Sequence, residues 1–315
     1  MYLVVGSLSV VFVVVVCFVA LKLDTTFTIA NSFYNAANAI EAKLAKLKIY
    51  RSFNENFGVS THYLSNVSSF DNTKPVVVLL HGFSADKYIW NRISLRLAKH
   101  YQLFIPDLLG HGDTEYNQEQ NYSTKRQCEF LVEFLASVEI DRFHIIGNSM
   151  GGLMTAQLLE MMPERIIKAV LIDPAGVRSD FSLQMAKTNQ NPFNHYNEED
   201  FFYFYDLVMA KPPYMPKFIL RALAHKYISR REQYVHMFRD FFNPDDFYEQ
   251  DKHKIGGCKT MLIWGVNDKL MPVDDYMIWQ NMLDSETVIY EDLGHMPMVE
   301  DVRRVSRDII TFLSN

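Results

Sequence analysis

The pentapeptide Gly147–Gly151, which reads Gly-Asn-Ser-Met-Gly, constrains the fold of this chain more than any other stretch. It directly follows the apolar run 143–146, and a stretch that favours helix, 153–162, comes after it. A strand, a Gly-x-Ser-x-Gly turn and a helix together predict a sharp elbow that holds Ser149 in a strained backbone at the top of a sheet. We expect glycine two residues before and two after Ser149 because a side chain there would collide with a neighbouring strand or helix.

Four further segments occur in an order that agrees with such an elbow. Residues 76–80 form a continuous apolar run, typical of a strand buried on both faces, and His81-Gly82-Phe83 follows at once. Residues 103–112 combine a second buried strand with a glycine-containing loop. Two later apolar strands are followed by loops that carry Asp268 and His295. Serine, aspartate and histidine therefore occur in the chain order of the α/β-hydrolase triad, which differs from the orders in chymotrypsin and subtilisin.

With these motifs the chain resembles the α/β-hydrolase family over roughly residues 57–313. Within that family it is similar to the Moraxella-type bacterial lipases and to the membrane-anchored monoacylglycerol lipases of animals. The core motifs are common to very many hydrolases, whereas Lys211–Pro216 is narrower and indicates the lipase subgroup. The resemblance rests on His81-Gly82-Phe83, Pro106–Gly110, Gly147–Gly152, Lys211–Tyr214, Trp264-Gly265 with Asp268, and Gly294-His295.

Alternating strand and helix patterns predict an α/β fold with a mostly parallel central sheet and helices on both faces. The predicted helices cover residues 86–100, 124–138, 149–161, 273–283 and 301–313. The alternation stops at residues 174–259, where no run of residues has the pattern of a buried strand. The resemblance implies that this insertion after the sixth strand is a helical cap over the active site. We therefore expect a catalytic domain at 57–315 with the cap at about 176–259.

The predicted cap is rich in aromatic residues, since 176–259 holds 17 of the chain's 40 Phe and Tyr residues. Such residues are needed for the core of a small helical unit, and they also suit an apolar acyl pocket or a lipid-facing lid. Both interpretations agree with this composition.

The triad order assigns a role to each candidate residue. Ser149 would be the nucleophile, His295 the general base and Asp268 the acid that orients the imidazole. Asp173, at the end of the sixth strand, is the alternative acid, because some relatives place an acid there. Backbone N–H groups of Phe83 and Met150 would form the oxyanion hole. Two other loop histidines, His81 and His111, support the loops around this hole in the family.

The resemblance implies a serine carboxylic-ester hydrolase that cleaves acyl glycerols or other lipid esters through an acyl-enzyme, without metal or cofactor. The alternatives are a carbon–carbon bond hydrolase of the same fold, a general short-chain esterase, or a catalytically silent binding protein. A net charge of −6 gives no reason to expect nucleic acid as a partner, and the sequence indicates no protein partner. Cys17, Cys128 and Cys258 are too far apart to indicate a disulfide framework or a zinc site.

The N-terminal segment Tyr2–Leu21 contains no charged residue and is long enough to span a bilayer as a helix. We expect residues 1–23 to be an uncleaved signal anchor; the alternatives are a cleaved signal, which would make the enzyme secreted or periplasmic, and a buried core helix. Residues 24–56 are expected to form an amphipathic linker helix. Its apolar residues recur at helical spacing and its cations lie on or beside that face, so it suits an anionic membrane surface or packing on the catalytic domain. They are Phe33, Ala37, Ile40, Leu44 and Leu47, with Lys43, Lys46, Lys48 and Arg51.

Overall fold

An eight-stranded sheet forms the centre of the computed structural model, which describes residues 25–71, 73–188, 190–243, 247–248 and 255–315. The strand order is β1-β2-β4-β3-β5-β6-β7-β8. The first two strands are joined to the sheet by antiparallel pairing, and all remaining neighbours are parallel. The strands are β1 Lys48–Asn54, β2 Val59–Ser65, β3 Val76–Leu80, β4 Gln102–Pro106, β5 Phe143–Asn148, β6 Ile166–Ile172, β7 Ile255–Gly265 and β8 Leu283–Tyr290.

Helices cover both faces of the sheet, which confirms the predicted fold class. Along β3, Val76, Val78 and Leu80 pack into one core, and Val77 and Leu79 pack into the other. This alternation explains why the strand is apolar at every position. The helices are α1 Thr25–Leu44, α2 Asn91–Leu97, α3 Thr124–Ser137, α4 Met150–Met161, α5 Asp180–Thr188, α6 Glu198–Val208, α7 Lys217–Ser229, α8 Arg231–Phe241, α9 Tyr276–Met282, α10 Pro297–Glu300 and α11 Val302–Ser314.

The two cores differ in the helices that close them. Helices α3, α4 and α9 contribute to the core on one face, and α1, α2 and α11 contribute to the core on the other. The long helix predicted at 86–100 is instead a 3₁₀ turn, Lys87–Trp90, followed by the short helix α2. Asp86 caps this turn by accepting a hydrogen bond from the Tyr88 N–H.

Helices α5 to α8 occupy the segment between β6 and β7, hereafter the insertion. Aromatic side chains of the insertion pack against Phe83, in the loop after β3: its ring centroid lies 4.6 Å from that of Phe193, between α5 and α6, and 5.4 Å from that of Phe241 on α8. Because Phe83 follows the carboxyl end of β3, this contact places part of the insertion over that edge of the sheet. The predicted boundaries of the cap, at about residues 176 and 259, stay a prediction.

The linker predicted as a helix over 24–56 divides into two elements. Helix α1 ends at Leu44. Lys46 then adopts a left-handed backbone with φ of 60°, and a right-handed α-helix cannot continue through such a residue. Residues Lys48–Asn54 form β1, paired antiparallel with β2 from Lys48↔Ser65 to Asn54↔Val59. The helical prediction was therefore wrong for this part, because Leu47 is buried beyond the helix end and β1 alternates exposed and less exposed residues with the period of a strand.

None of the described helices is long and apolar enough to span a bilayer. The predicted membrane segment Tyr2–Leu21 lies outside the described residues.

Candidate active site

Ser149 sits at the junction of β5 and α4 with φ of +57°, a backbone conformation that is rare for residues other than glycine. Its amide donates to the Ile172 carbonyl at 3.0 Å, which fixes the turn against β6. A Cβ atom on Gly147 would overlap the Gly151 carbonyl oxygen, and one on Gly151 would overlap the Leu80 carbonyl oxygen. The geometry thus contains the strained serine and both collisions that the sequence predicted.

The loop after β3 passes close to Ser149. A Cβ atom built on Gly82 would lie 3.1 Å from the Ser149 Cβ. Phe83 and Met150 are both buried, and no hydrogen bond between described residues uses either amide as its donor. Two backbone N–H groups beside the serine are therefore available for an external acceptor, and Met150 also begins α4, whose amino-terminal end favours negative charge.

Buried polar contacts hold this loop in place. The His81 ring donates from Nδ1 to the Gly82 carbonyl at 2.8 Å, and its Nε2 accepts from the Leu108 amide at 3.0 Å. Burial lowers the pKa of His81 to about 4 and that of His111 to about 3, so both rings are neutral at pH 7. Neutral, buried rings that bond to loop backbone fit the supporting role expected for them.

His295 and Asp268 form the most direct side-chain contact of the site. The His295 Nδ1 lies 2.6 Å from the Asp268 Oδ2, and both side chains are almost completely buried. The Asp268 Oδ1 accepts 2.8 Å hydrogen bonds from the Leu270 and Met271 amides. The aspartate is therefore fixed by its own loop and in turn fixes the imidazole, as the triad assignment requires.

Asp173 lies behind this pair. Its Oδ1 accepts a 3.0 Å hydrogen bond from the Gly265 amide, and one of its carboxyl oxygens lies within 4.8 Å of an Asp268 oxygen. Burial and the neighbouring Asp268 raise the Asp173 pKa well above its ordinary value. The His295 ring thus pairs with Asp268, and the alternative acid, Asp173, lies next to this pair with a raised pKa.

Donor atoms of Asp173, Asp268 and His295 lie within 4.8 Å of one another, close enough in principle for a metal ion. The Asp268 oxygens, however, already accept hydrogen bonds from His295 and from two backbone amides. These bonds fit an orienting role in a triad better than a ligand set.

Two positioning residues were missed by the sequence analysis. The Asn148 amide group donates to the Ile172 carbonyl at 3.2 Å and to the His295 carbonyl at 3.0 Å, so it ties the elbow to the histidine loop. The Glu300 carboxylate accepts from the amides of Gly294, Met296 and Lys211, which joins that loop to the insertion. In the sequence, Asn148 is only the variable residue of the elbow motif and Glu300 is only an acid five residues after His295. Neither position belongs to a recognised motif, so the sequence could not indicate their roles.

Ser149 borders two cavities. The smaller, of about 310 Å³, hereafter the inner cavity, is shared with His295. Aromatic side chains of the insertion form much of its wall, together with Tyr34, Ala37, Asn38 and Glu41 of α1; the aromatics include Phe193, Phe201, Phe204, Tyr205 and Tyr227. The larger, of about 870 Å³, hereafter the outer cavity, is lined by both apolar and polar side chains, the latter including Asn121, Thr124, Glu160 and Asp240.

Comparison with known proteins agrees with this architecture. A family profile described as alpha/beta hydrolase fold matches residues 75–302. Lipase 3 of Moraxella sp. (strain TA144) is 31% identical over 242 residues, which cover 75% of this chain and 76% of the lipase. Monoacylglycerol lipase ABHD6 of Mus musculus is 25% identical over 267 residues, covering 77% of this chain and 76% of the relative.

Among solved structures, one described as a membrane phospholipase A superposes with a TM-score of 0.82 at 28% identity, covering 98% of this chain and 97% of the other. Both resemblances drawn from the sequence are confirmed by these relatives. Because the family profile matches well over half of its residues, the chain belongs to the α/β-hydrolase family.

Proposed function

We propose that the chain is a serine hydrolase that cleaves carboxylic esters of lipids, with acylglycerols as the foremost substrates. The observation that carries the proposal is the shared position of Ser149 and His295 on an inner cavity walled by aromatic side chains. Relatives named as lipases support the ester as the bond that is cleaved.

In the proposed mechanism, the Ser149 hydroxyl attacks the ester carbonyl while His295 accepts its proton. Asp268, 2.6 Å from the His295 Nδ1, keeps the Nε2 free to act as base and stabilises the imidazolium. The tetrahedral oxyanion is held by the amides of Phe83 and Met150. The imidazolium then protonates the leaving alcohol, and water repeats the sequence on the acyl-enzyme to release the fatty acid.

The two cavities divide the substrate. We assign the acyl chain to the inner cavity, since its wall is largely aromatic and aliphatic. The alcohol part would occupy the outer cavity, where hydroxyl, amide and carboxylate groups can bind glycerol hydroxyls.

A carbon–carbon bond hydrolase acting on a carboxylated substrate is the second candidate. It requires a cation free to bind the substrate carboxylate. The cations along the inner cavity are already paired: Lys226 lies 3.1 Å from Asp86, and Arg92 lies 2.9 Å from Glu41. Lys125 and Arg239 line the outer cavity, so the preference for the ester hydrolase rests on the inner cavity together with the lipase relatives.

We further propose that the N-terminal segment Tyr2–Leu21 anchors the enzyme in a membrane. Its support is the sequence, together with the similarity to a protein described as a membrane phospholipase A. Full-length protein should sediment with membranes and resist extraction by high salt and alkaline carbonate. Recovery of a product from the culture medium that has lost its N-terminal segment would establish a cleaved signal instead.

The function is tested by hydrolysis rates for p-nitrophenyl esters from acetate to palmitate, with Ser149→Ala as the control. Medium or long chains should be preferred, and a fluorophosphonate probe should label the wild-type enzyme but not Ser149→Ala. Equal rates for all acyl chain lengths would contradict a lipase and indicate a general esterase. Labelling that persists in Ser149→Ala would refute the assigned nucleophile.

A further inference from the structure

Helix α1 carries its apolar residues on the outside. Phe33, Ile40 and Leu44 expose 56%, 60% and 66% of their surface. With the exposed Ala37 they follow helical spacings of four, three and four, and we call these four residues the outer stripe. The apolar stripe of a surface helix normally faces the core, and polar residues face water. In α1 this order is inverted, since Asn38 is buried against the domain.

Polar contacts on the inner face fix this orientation. The Asn91 side chain donates to the Asn38 carbonyl at 3.0 Å, and Arg92 forms an ion pair with Glu41 at 2.9 Å. Ala42 and Ala45 complete the contact with the core below α1. Rotation of α1 to bury the outer stripe would break all of these contacts, so the exposed stripe belongs to the folded state.

The apolar surface continues onto β1. Ile49 and Phe53 are 57% and 60% exposed. They alternate with Tyr50, which packs into the core on the α3 side of the sheet, and so they lie on the opposite side, where α1 is found. At the other end, the Phe33 ring meets that of the half-exposed Phe218 on α7, with centroids 6.0 Å apart.

A group of cations borders the same surface. Lys43, Lys46, Lys48 and Arg51 are all exposed, and the sequence from residue 42 to residue 54 contains no acidic residue. This concentration of positive charge occurs in a chain whose net charge is −6. Apolar side chains next to exposed lysine and arginine are the combination that binds the interface of an anionic bilayer.

We propose that the outer stripe, Ile49 and Phe53 dock on the surface of an anionic lipid bilayer, and that the inner cavity takes its lipid ester directly from that bilayer. The proposal rests on the proposed function. Ala37 belongs to the outer stripe and also lines the inner cavity, so the cavity opens beside the docking surface. Helix α1 begins at Thr25, four residues after the end of the apolar run Tyr2–Leu21, which favours a position close to a membrane.

A second copy of the chain is the competing occupant of this surface. Symmetric pairing through α1 would bring two identical groups of four cations towards each other, whereas anionic head groups neutralise them. The charge of the surface therefore favours the bilayer.

The test places a polarity-sensitive fluorophore on the full-length chain at Ile40→Cys or Leu44→Cys, in a background carrying Cys17→Ser and Cys258→Ser. Vesicles of phosphatidylcholine and phosphatidylglycerol with brominated acyl chains should quench both labels. The matched control is Glu286→Cys, an exposed position on β8 at the opposite edge of the sheet, which should not be quenched. Quenching at position 40 no stronger than at 286, or an Ile40→Cys disulfide between chains without quenching, would overturn the proposal.

A second measurement links docking to substrate entry. Ile40→Asn combined with Leu44→Asn should lower hydrolysis of monoacylglycerol in vesicles by about ten-fold or more, because two apolar side chains no longer enter the interface. Hydrolysis of dissolved p-nitrophenyl butyrate should not change, since neither residue lines the inner cavity. Equal rates on the vesicle substrate would refute direct entry. Loss of the soluble activity in Ser149→Ala tests the proposed function separately, and lipid quenching does not depend on activity.

Discussion

Carboxyl oxygens of Asp173 and Asp268 lie within 4.8 Å of each other in a buried site, and repulsion between two negative charges there favours a proton on one of them. Asp268 accepts three N–H hydrogen bonds; the donors are Leu270, Met271 and His295. Asp173 is completely buried and accepts one, from Gly265. Burial and the neighbouring carboxyl therefore raise the pKa of Asp173 well above its ordinary value, and we expect the proton of this pair on Asp173.

Asp173→Asn should consequently preserve activity and change the pH dependence of stability. The raised pKa means that the folded protein holds a proton at pH values where the unfolded chain, with an ordinary value of 3.8, has lost it. The free energy of unfolding of the wild type must then fall as pH rises above that value towards the raised pKa. The Asn side chain cannot ionise, so the stability of the variant relative to wild type should increase across this window. Urea unfolding at a series of pH values measures it, and a difference that stays constant with pH would contradict a protonated Asp173.

The catalytic assignments predict a sharp contrast between the two acids. Ser149→Ala, His295→Ala and Asp268→Asn should each lower kcat by roughly a thousand-fold or more, and combining Ser149→Ala with His295→Ala should add little. All should remain folded, as circular dichroism can verify, because the three residues lie on loops. If Asp268→Asn kept near-normal rates while Asp173→Asn lost them, the acid would have been assigned to the wrong residue.

The aromatic run on α6 offers a matched test of chain-length preference. Phe204 and Tyr205 line the inner cavity, whereas the neighbouring Tyr203 does not and is 69% exposed. Phe204→Ala or Tyr205→Ala should reduce kcat/KM for palmitate esters more than for butyrate esters, since each buried methylene contributes up to about 0.8 kcal/mol. Tyr203→Ala should leave the ratio of the two rates unchanged. A similar shift in all three variants would show that the ratio reports general damage to the insertion.

The sequence predicted the elements whose signal is local. The elbow around Ser149 and the loops bearing Asp268 and His295 each follow an apolar strand, and a few adjacent residues suffice to recognise them. The Asn148 side chain contacts a carbonyl 147 residues away, and nothing near it in the sequence indicates that contact. Likewise residues 48–54, which form β1, were included in the predicted helix, because the apolar residues from Phe33 to Leu47 have helical spacing and nothing in the sequence marks the left-handed backbone of Lys46. The first contact depends on residues far apart in the chain, and the second depends on the φ angle of one residue, and neither can be recognised from a local sequence pattern.

Glu300 should position His295, the proposed general base, through the backbone. Its carboxylate accepts from the amides of Gly294 and Met296 on either side of His295, and from the Lys211 amide at 2.6 Å. Glu300→Gln removes the charge and one acceptor, so the loop should lose its fixed position, and kcat should fall by about ten-fold while KM changes little. Lys211→Ala is the control, because it keeps the backbone amide and removes only the exposed ion pair with Asp292. If both variants lowered kcat equally, the effect on kcat would come from the Lys211 side chain, and the proposed support of the His295 loop by Glu300 would be contradicted.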